Sequence, residues 1–410
     1  MKYLILILPL FLSFQNASAQ SGCTDPQANN FDAAATENDG SCIYPTTNYQ
    51  LTEITQLPSN LEEVSGAGFF NETLWTHEDG GNEDRIYQID SLMGAIEHIV
   101  TIAGADNYDW EDMTEDETHV YVGDFGNNDG NRTNLRVYKI SKGDLTENVA
   151  TAEVIEFIFS DQTDFTLNSN NNNYDCEAMF VFEDSLHLFS KNWVDFKTRH
   201  YVLPTTAGEH VAQVRDSLEV QVQITSADIS DEGEVLLLGY NTATSEVLLW
   251  LLFDYPGNQF FKGNKRKISL GSAISTSQAE GITFRNDRTG YVVSEAFSVL
   301  PQKLLRFNVL PFLEEPNAVE EANLKSNIKV FPNPFRDRLI IEMKDVKEPI
   351  EAIHLVNLNG EIVAVFEKGD FEHGNAIELD FSNKDLAKGA YFIEIQTIDG
   401  IFWNSIVHLK

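Results

Sequence analysis

Positive charge is scarce in this chain. Lysine and arginine number 28 against 64 aspartates and glutamates, for a formal net charge of −36. Coulomb repulsion from that excess opposes binding to a nucleic-acid backbone or an anionic membrane. It suits solubility and divalent cations, although acids that simply sit in solvent give the same composition. Cysteine is almost missing, with Cys23, Cys42 and Cys176 the three present. Beyond the N-terminus no stretch approaches the roughly 18 apolar residues of a membrane-spanning helix, so stable membrane insertion is not expected. Catalytic signatures are absent too: there is no Gly-x-Ser-x-Gly, no His-Glu-x-x-His and no phosphate-binding glycine loop with its lysine. His77 beside Glu78, and His200 after Arg199, are the remaining acid–base candidates. A surface or strand-packed histidine is the simpler reading of each.

What is present begins with an export leader. Residues 1–19 carry Lys2, an apolar run from Leu4 to Phe14 and the small-residue site Ala17-Ser18-Ala19, the order of a secretory signal peptide. In an exported chain Cys23 and Cys42 are expected to form a disulfide. Asn29, Asn30, Asp32, Glu37, Asn38 and Asp39 lie between them and offer hard oxygen ligands for Ca²⁺; a disulfide-closed turn without metal is the alternative. Cys176, flanked by Asp175 and Glu177, reads as a buried, inert thiol because neighbouring carboxylates raise a thiol's pKa.

A short acidic phrase then recurs five times, around Glu62-Glu63, Asp109-Trp110-Glu111, Asp175-Cys176-Glu177, Ala227-Asp228 and Ala279-Glu280. Each is followed by strand-like runs separated by turns, the signature of a stacked supersecondary unit. Four runs per repeat point to an all-β fold built on a β-propeller of five blades, with six as the alternative. The last repeat is one strand short, and the run Tyr49–Leu57 can supply it, closing the ring and hiding its edges. The acids precede the innermost strands and converge at one channel mouth, so Glu63, Glu111, Glu177, Asp228 and Glu280 form the candidate metal set. Such a ring cannot ionise freely without a cation, and Ca²⁺ is the expected one; the other reading has the acids bracing backbone amides. His77, Trp110, Asn192 and Trp193 lie by the same mouth and form the candidate ligand-binding set. Asn168–Asn173 reads as a flexible loop.

Three resemblances refine this outline. Cys23-Thr24-Asp25 through Asp39-Gly40-Ser41-Cys42 resembles small modules near the ends of exported Bacteroidetes proteins. The acidic phrases loosely resemble those of calcium-dependent propellers, the soluble apyrases and the gluconolactonase group, which implies Ca²⁺ but no substrate. Val330-Phe331-Pro332-Asn333-Pro334, the Asn359-Gly360 hairpin turn, Lys388-Gly389-x-Tyr391 and the terminal Val407–Lys410 resemble the type A C-terminal sorting domain of the type IX secretion system. That implies a small immunoglobulin-like β-sandwich at 327–410 that engages the secretion machinery. It also implies passage through the periplasm to a secreted or cell-surface location. The expected organisation is therefore a signal peptide at 1–19, a Cys-bridged module at 20–45, a propeller at 46–313, a linker at 314–326 and the sorting domain at 327–410. The expected activity is Ca²⁺-assisted recognition of a glycan or protein; the alternative is a Ca²⁺-dependent hydrolase of a phosphate ester, nucleotide or lactone.

Overall fold

The computed structural model describes residues 20–286, 288–313, 328–343, 350–357, 362–367, 376–382, 384, 386, 388–397 and 400–409. The leader, the linker and the Asn359-Gly360 turn lie outside them. The chain divides into two compact units between Phe307 and Asn308.

Between Thr52 and Asn308 the described residues form five four-stranded antiparallel sheets. The first consists of Val64–Phe70, Thr73–Glu78, Arg85–Ile89 and Ile96–Ala103. The second consists of Trp110–Glu115, His119–Asp124, Leu135–Ser141 and Val149–Phe159. The third takes Cys176–Phe182, Ser185–Ser190, Lys197–Pro204 and Gly208–Glu219. The fourth takes Gln223–Ile229, Val235–Tyr240, Glu246–Phe253 and Asn264–Ser272. In the fifth, Gln278–Asn286, Thr289–Glu295 and Lys303–Asn308 are completed by the N-terminal strand Thr52–Gln56. Innermost strands pack against one another around a ring, the last against the first, as a β-propeller requires.

The burial pattern explains the sequence pattern. Inner strands such as Val235–Tyr240 are covered on both faces and read as unbroken apolar runs. Outer strands alternate: in Val149–Phe159, Ile155, Phe157 and Phe159 are buried while Val154 and Ile158 are exposed. Several of the outer edges are paired rather than left open, which blunts edge-to-edge association. Thr101–Ala103 runs parallel to Val149–Thr151, and Ile155–Phe159 parallel to Gly208–Ala212. On the fourth sheet Thr47–Asn48 adds a parallel strand.

The Cys23–Cys42 disulfide is formed, and its module packs on that fourth sheet. Asn38 donates to the carbonyl of Asp254 and to Asn264 Oδ1 (3.1 and 3.0 Å), and Arg266 stacks 5.2 Å from the Tyr44 ring. The module's oxygens are largely spent locally. Asp32 accepts from Gln20 and the Ala34 amide, Asp39 from the Ser41 amide, and Asn30 from the Ile43 amide. They act as turn caps.

The C-terminal unit has a three-stranded sheet of Ile328–Phe331, Arg338–Met343 and Ala376–Asp380. A four-stranded sheet runs in the order Ile362–Glu367, Ile350–Asn357, Gly389–Thr397 and Gly400–His408. Phe335, Leu339, Ile353, Leu355, Phe381, Ile393 and Ile395 are among its core residues. Pro332 and Pro334 lie in the connection between the first two strands. Asn333 between them accepts the amide of Val407 at 2.9 Å, tying that corner to the final strand.

One side chain binds three propeller sheets together. Asp112, fully buried on the innermost strand of the second sheet, accepts at Oδ2 the amides of Met179 in the third sheet (2.9 Å) and Ala227 in the fourth (3.2 Å). At Oδ1 it accepts Ser226 Oγ and the Met113 amide, both at 3.0 Å. Ser226 Oγ in turn accepts the Ile282 amide of the fifth sheet at 3.0 Å, and Ser65 Oγ of the first donates to the Glu111 carbonyl at 2.7 Å. Burial pushes the Asp112 carboxyl well up while these donors counter it. Four donors converging on two oxygens are the partners of a carboxylate, not of an acid. Truncation leaves three buried amides and the Ser226 hydroxyl without this acceptor, at about 1–3 kcal/mol for each group left unsatisfied. Asp112→Ala is therefore expected to lower unfolding free energy in urea by about 4 kcal/mol. Asp112→Asn should do comparable damage, because its NH₂ meets donors; a loss below about 1 kcal/mol in both would show that water replaces the carboxylate.

Candidate acidic cation site at one mouth of the propeller

The same irregularity opens all five innermost strands. Pairing with the second strand skips Ser65 and Gly66 in the first sheet, Glu111 in the second, Glu177 in the third, Thr225 in the fourth and Glu280 in the fifth. A β-bulge of this kind re-aims the extra residue away from the regular pleat. Three of the five extra positions are glutamates. Ser65 and Thr225 occupy the others, and their hydroxyls bond the carbonyls of Glu111 and Ala279 in neighbouring sheets.

This repeat corrects two members of the candidate metal set. Glu63 lies before its bulge, exposed, and accepts from Asn82 at 2.8 Å. Asp228 lies three residues past its bulge, toward the opposite end of the strand, where it accepts the Phe284 amide (2.7 Å) and Thr283 Oγ1 (3.2 Å). Both belong outside the group, because an alignment made on acids alone misses the hydroxyl residues at the equivalent places. Glu111, Glu177 and Glu280 do share one mouth, together with acids from the ends of the second strands and the loops beyond.

The ligand-binding set is corrected more heavily. Trp110 is fully buried, donating to the Asp106 carbonyl and packed edge-on against His77 at 5.7 Å. His77 is equally inaccessible; its Nδ1 sits 3.0 Å from the Glu78 carbonyl, and burial lowers its pKa to about 4. Asn192 is buried in a turn, accepting from Ser190 and donating to Asp195. Innermost and second strands are covered on both faces, so proximity to acids in sequence does not expose these groups. Trp193 alone of the four is partly exposed, with its indole N–H donating to Asp175 at 2.8 Å. Asn168–Asn173 is not a free loop: the amides of Asn168 and Asn170 bond the carbonyls of Asp129 and Asn128, and Asn172 bonds Asn128 as well. His200, also read as an acid–base candidate, is buried against His187, 2.8 Å away, and Cys176 is buried and free, its thiol pushed well up by burial.

At the mouth itself, Lys191 Nζ grips both oxygens of Glu177, at 2.6 Å from Oε1, beneath the rings of Trp193 (5.3 Å) and Tyr240 (5.5 Å). Glu280 accepts from Tyr240 and Gln278 (3.2 and 2.6 Å), and Gln278 also reaches Glu295 at 2.9 Å. Arg132 is committed to Asp124 and the Gly126 carbonyl. Among the described residues, these pairs leave Asp79, Asp109 and Glu111 with no ion-paired lysine or arginine. Each offers a carboxylate oxygen within 4.8 Å of the others'. Glu111 is only 6% exposed, yet neither its carboxylate nor that of Asp109 takes a hydrogen bond from any described residue.

Asp109 stands in one of the repeated acidic phrases, but neither it nor Asp79 belongs to the metal set expected from the sequence. The glycines beside them were the available signal. A Cβ on Gly126 would stand 2.0 Å from Glu111 Oε1 and 2.4 Å from Asp109 Oδ2, and one on Gly80 would stand 2.6 Å from Asp109 Oδ1. Only glycine leaves room for the three carboxylates to converge.

Burial is the first cause of every shift here. It raises Asp79 to about 7, Asp109 to about 6 and Glu295 to about 8, with neighbouring carboxylates adding to it. Glu111 is held well above the usual range by burial and then by Glu177. Such groups bind protons more tightly folded than unfolded, so their contribution is complete below about pH 4 and is lost as pH rises through the folded values. Chelator-treated protein should therefore lose thermal stability between about pH 5 and about pH 8, and Glu295→Gln should flatten the slope above about pH 6. An unchanged slope in the variant would remove Glu295 from the coupled group.

Residues 329–407 match a secretion system C-terminal sorting domain, so the C-terminal unit is the type IX sorting domain that its motifs suggest, and the chain carries the export signal for that route. Among the described residues no helix is long and apolar enough to cross a membrane. No curated protein matches the chain. Among solved structures, it is similar to an exo-β-1,3-galactanase from Phanerochaete chrysosporium at 9% identity, covering 91% of this chain and 88% of that one with a TM-score of 0.39. It is also similar to regucalcin, a calcium-binding protein from Agrobacterium tumefaciens, at 8% identity over 64% and 95% of the two chains, TM-score 0.33. A quinonprotein alcohol dehydrogenase-like protein from Bacteroides thetaiotaomicron shows 11% identity over 79% and 69%, TM-score 0.30. The chemistry of the site rests on its own residues.

Proposed function

We propose that this exported propeller holds Ca²⁺ between Asp79, Asp109 and Glu111 and uses that mouth to recognise a glycan or protein outside the cell. The observation that carries the reading is the buried Glu111 carboxylate, unpartnered and facing two more carboxylates that Lys191 does not neutralise. Desolvated acids at such range need either protons or a cation. All three ligands are hard carboxylate oxygens, and oxygens on opposite sides of a Ca²⁺ lie up to about 5 Å apart, which the 4.8 Å spread satisfies.

Aromatic surface stands beside the cluster. Tyr108, adjacent to Asp109, is 57% exposed with Arg132 stacked 4.5 Å from its ring centroid, and Trp193 is partly exposed. Rings next to an ion with free coordination positions suit a sugar, whose hydroxyls can ligate Ca²⁺ while its apolar face stacks. The Lys191–Glu177 pair serves as a fixed brace beneath them, so Glu177 and Glu280 support the ion electrostatically.

Thermal unfolding of the full chain in EDTA and in Ca²⁺ tests this. A ligand bound only by the folded state stabilises it by about 2.7 kcal/mol at a hundredfold excess over its Kd. The midpoint should rise with Ca²⁺ in the wild type and stay put in Glu111→Gln and Gly126→Ala. A rise retained in both variants, or none in the wild type, would sink the site. If Ca²⁺ binds and the protein also turns over a phosphate ester or lactone, and Glu111→Gln abolishes that turnover, the hydrolase reading replaces recognition.

A further inference from the structure

At the other end of the ring, a second cavity has a different chemistry. It encloses about 540 Å³ beyond the Asp112 cross-link and is lined by Gly68, Met113 and Thr114 at its floor. Met113 and Thr114 directly follow Asp112 on the same strand, whereas Glu111 of the acidic mouth directly precedes it. Its size falls within the range of small-molecule sites.

The walls combine aromatic faces with an excess of acid. Phe69, Phe182 and Phe284 contribute rings, from the first, third and fifth sheets. Six acidic residues line the cavity against two basic ones, Lys142 and Arg285. Lys142 is already ion-paired with Glu115, and Asp228 and Asp116 are occupied by hydrogen bonds from backbone amides and hydroxyls. Glu117, Glu183 and Asp231 are different. They are exposed and accept no hydrogen bond from any described residue, so three free carboxylates line the same cavity as the phenylalanines.

We propose that this cavity is a binding site for an alkylammonium group. The carboxylates of Glu117, Glu183 and Asp231 attract the charge, phenylalanine faces stabilise it by cation–π contact, and the alkyl chain lies against Met113 and Val181. A simple metal ion does not use the aromatic walls, and an anionic ligand meets the acidic excess unfavourably. An alkylammonium group reaches such a cavity either as a free amine or as a lysine side chain in a peptide.

The test is calorimetric titration of the full chain in saturating Ca²⁺, so that the opposite mouth is not competing. The probes are the diamine putrescine, the blocked peptide acetyl-Ala-Lys-Ala-amide and, as a neutral control, butanediol at equal ionic strength. Putrescine or the peptide should bind and butanediol should not. Binding of the diamine alone assigns the site to free amines, and binding of the peptide to lysine side chains. Glu183→Gln/Asp231→Asn and, separately, Phe182→Leu should each weaken binding about tenfold. The proposal is overturned if neither amine binds, or if binding is insensitive to both cavity variants.

Discussion

The propeller depends on a carboxylate buried where five sheets meet. Asp112 replaces water for backbone groups that the innermost strands cannot satisfy among themselves. It takes amides from the third and fourth sheets and, through Ser226, is linked to the fifth. The residues facing it are small for a reason: a Cβ on Gly66 would fall 2.8 Å from Asp112 Cα, and one on Gly281 2.4 Å from the Ser65 carbonyl. One anchored acid in a ring of glycine, alanine and serine gives a tightly closed axis.

The bulge that opens each innermost strand is the second constraint. It lifts one residue per sheet out of the pleat at the same height, and this makes a ring of side chains from five distant segments. Where that residue is Ser65 or Thr225, it is used to pin the neighbouring sheet. Where it is glutamate, the cost of burial must be met in another way. Lys191 meets it for Glu177, and tyrosine and glutamine donors do so for Glu280. Glu111 has no such partner, and the acids nearest to it, Asp79 and Asp109, deepen the deficit. The Ca²⁺ reading follows from that imbalance rather than from acidity in general, of which this chain has plenty on its surface.

The sequence made the architecture legible because each repeat had to satisfy the same strand, turn and burial pattern. It even showed that Tyr49–Leu57 could complete the last sheet, since a missing strand leaves an unpaired edge that some other segment must cover. The sorting domain was equally legible, its Pro-Asn-Pro corner being a backbone requirement that few residues meet. The site was legible only in part. Glu111, Glu177 and Glu280 stood out as repeated acids, but the bulge that aligns them is a register feature, invisible in composition, so Glu63 and Asp228 were grouped with them. Trp110 and His77 were placed among the ligand-binding residues because they neighbour acids, whereas strands covered on both faces bury such residues regardless of alternation. Asp79 and Asp109 come from loops, where no periodicity announces direction, and only the room left at Gly80 and Gly126 marks their convergence.

The most direct measurement is the anomalous difference density of a crystal of the full chain grown with Ca²⁺. The account predicts a peak about 2.3–2.6 Å from carboxylate oxygens of Asp79, Asp109 and Glu111, with Lys191 still on Glu177. A crystal showing no peak there, with Glu111 instead sharing a proton with a neighbouring carboxylate, would contradict it and leave the acidic mouth as a proton-held brace.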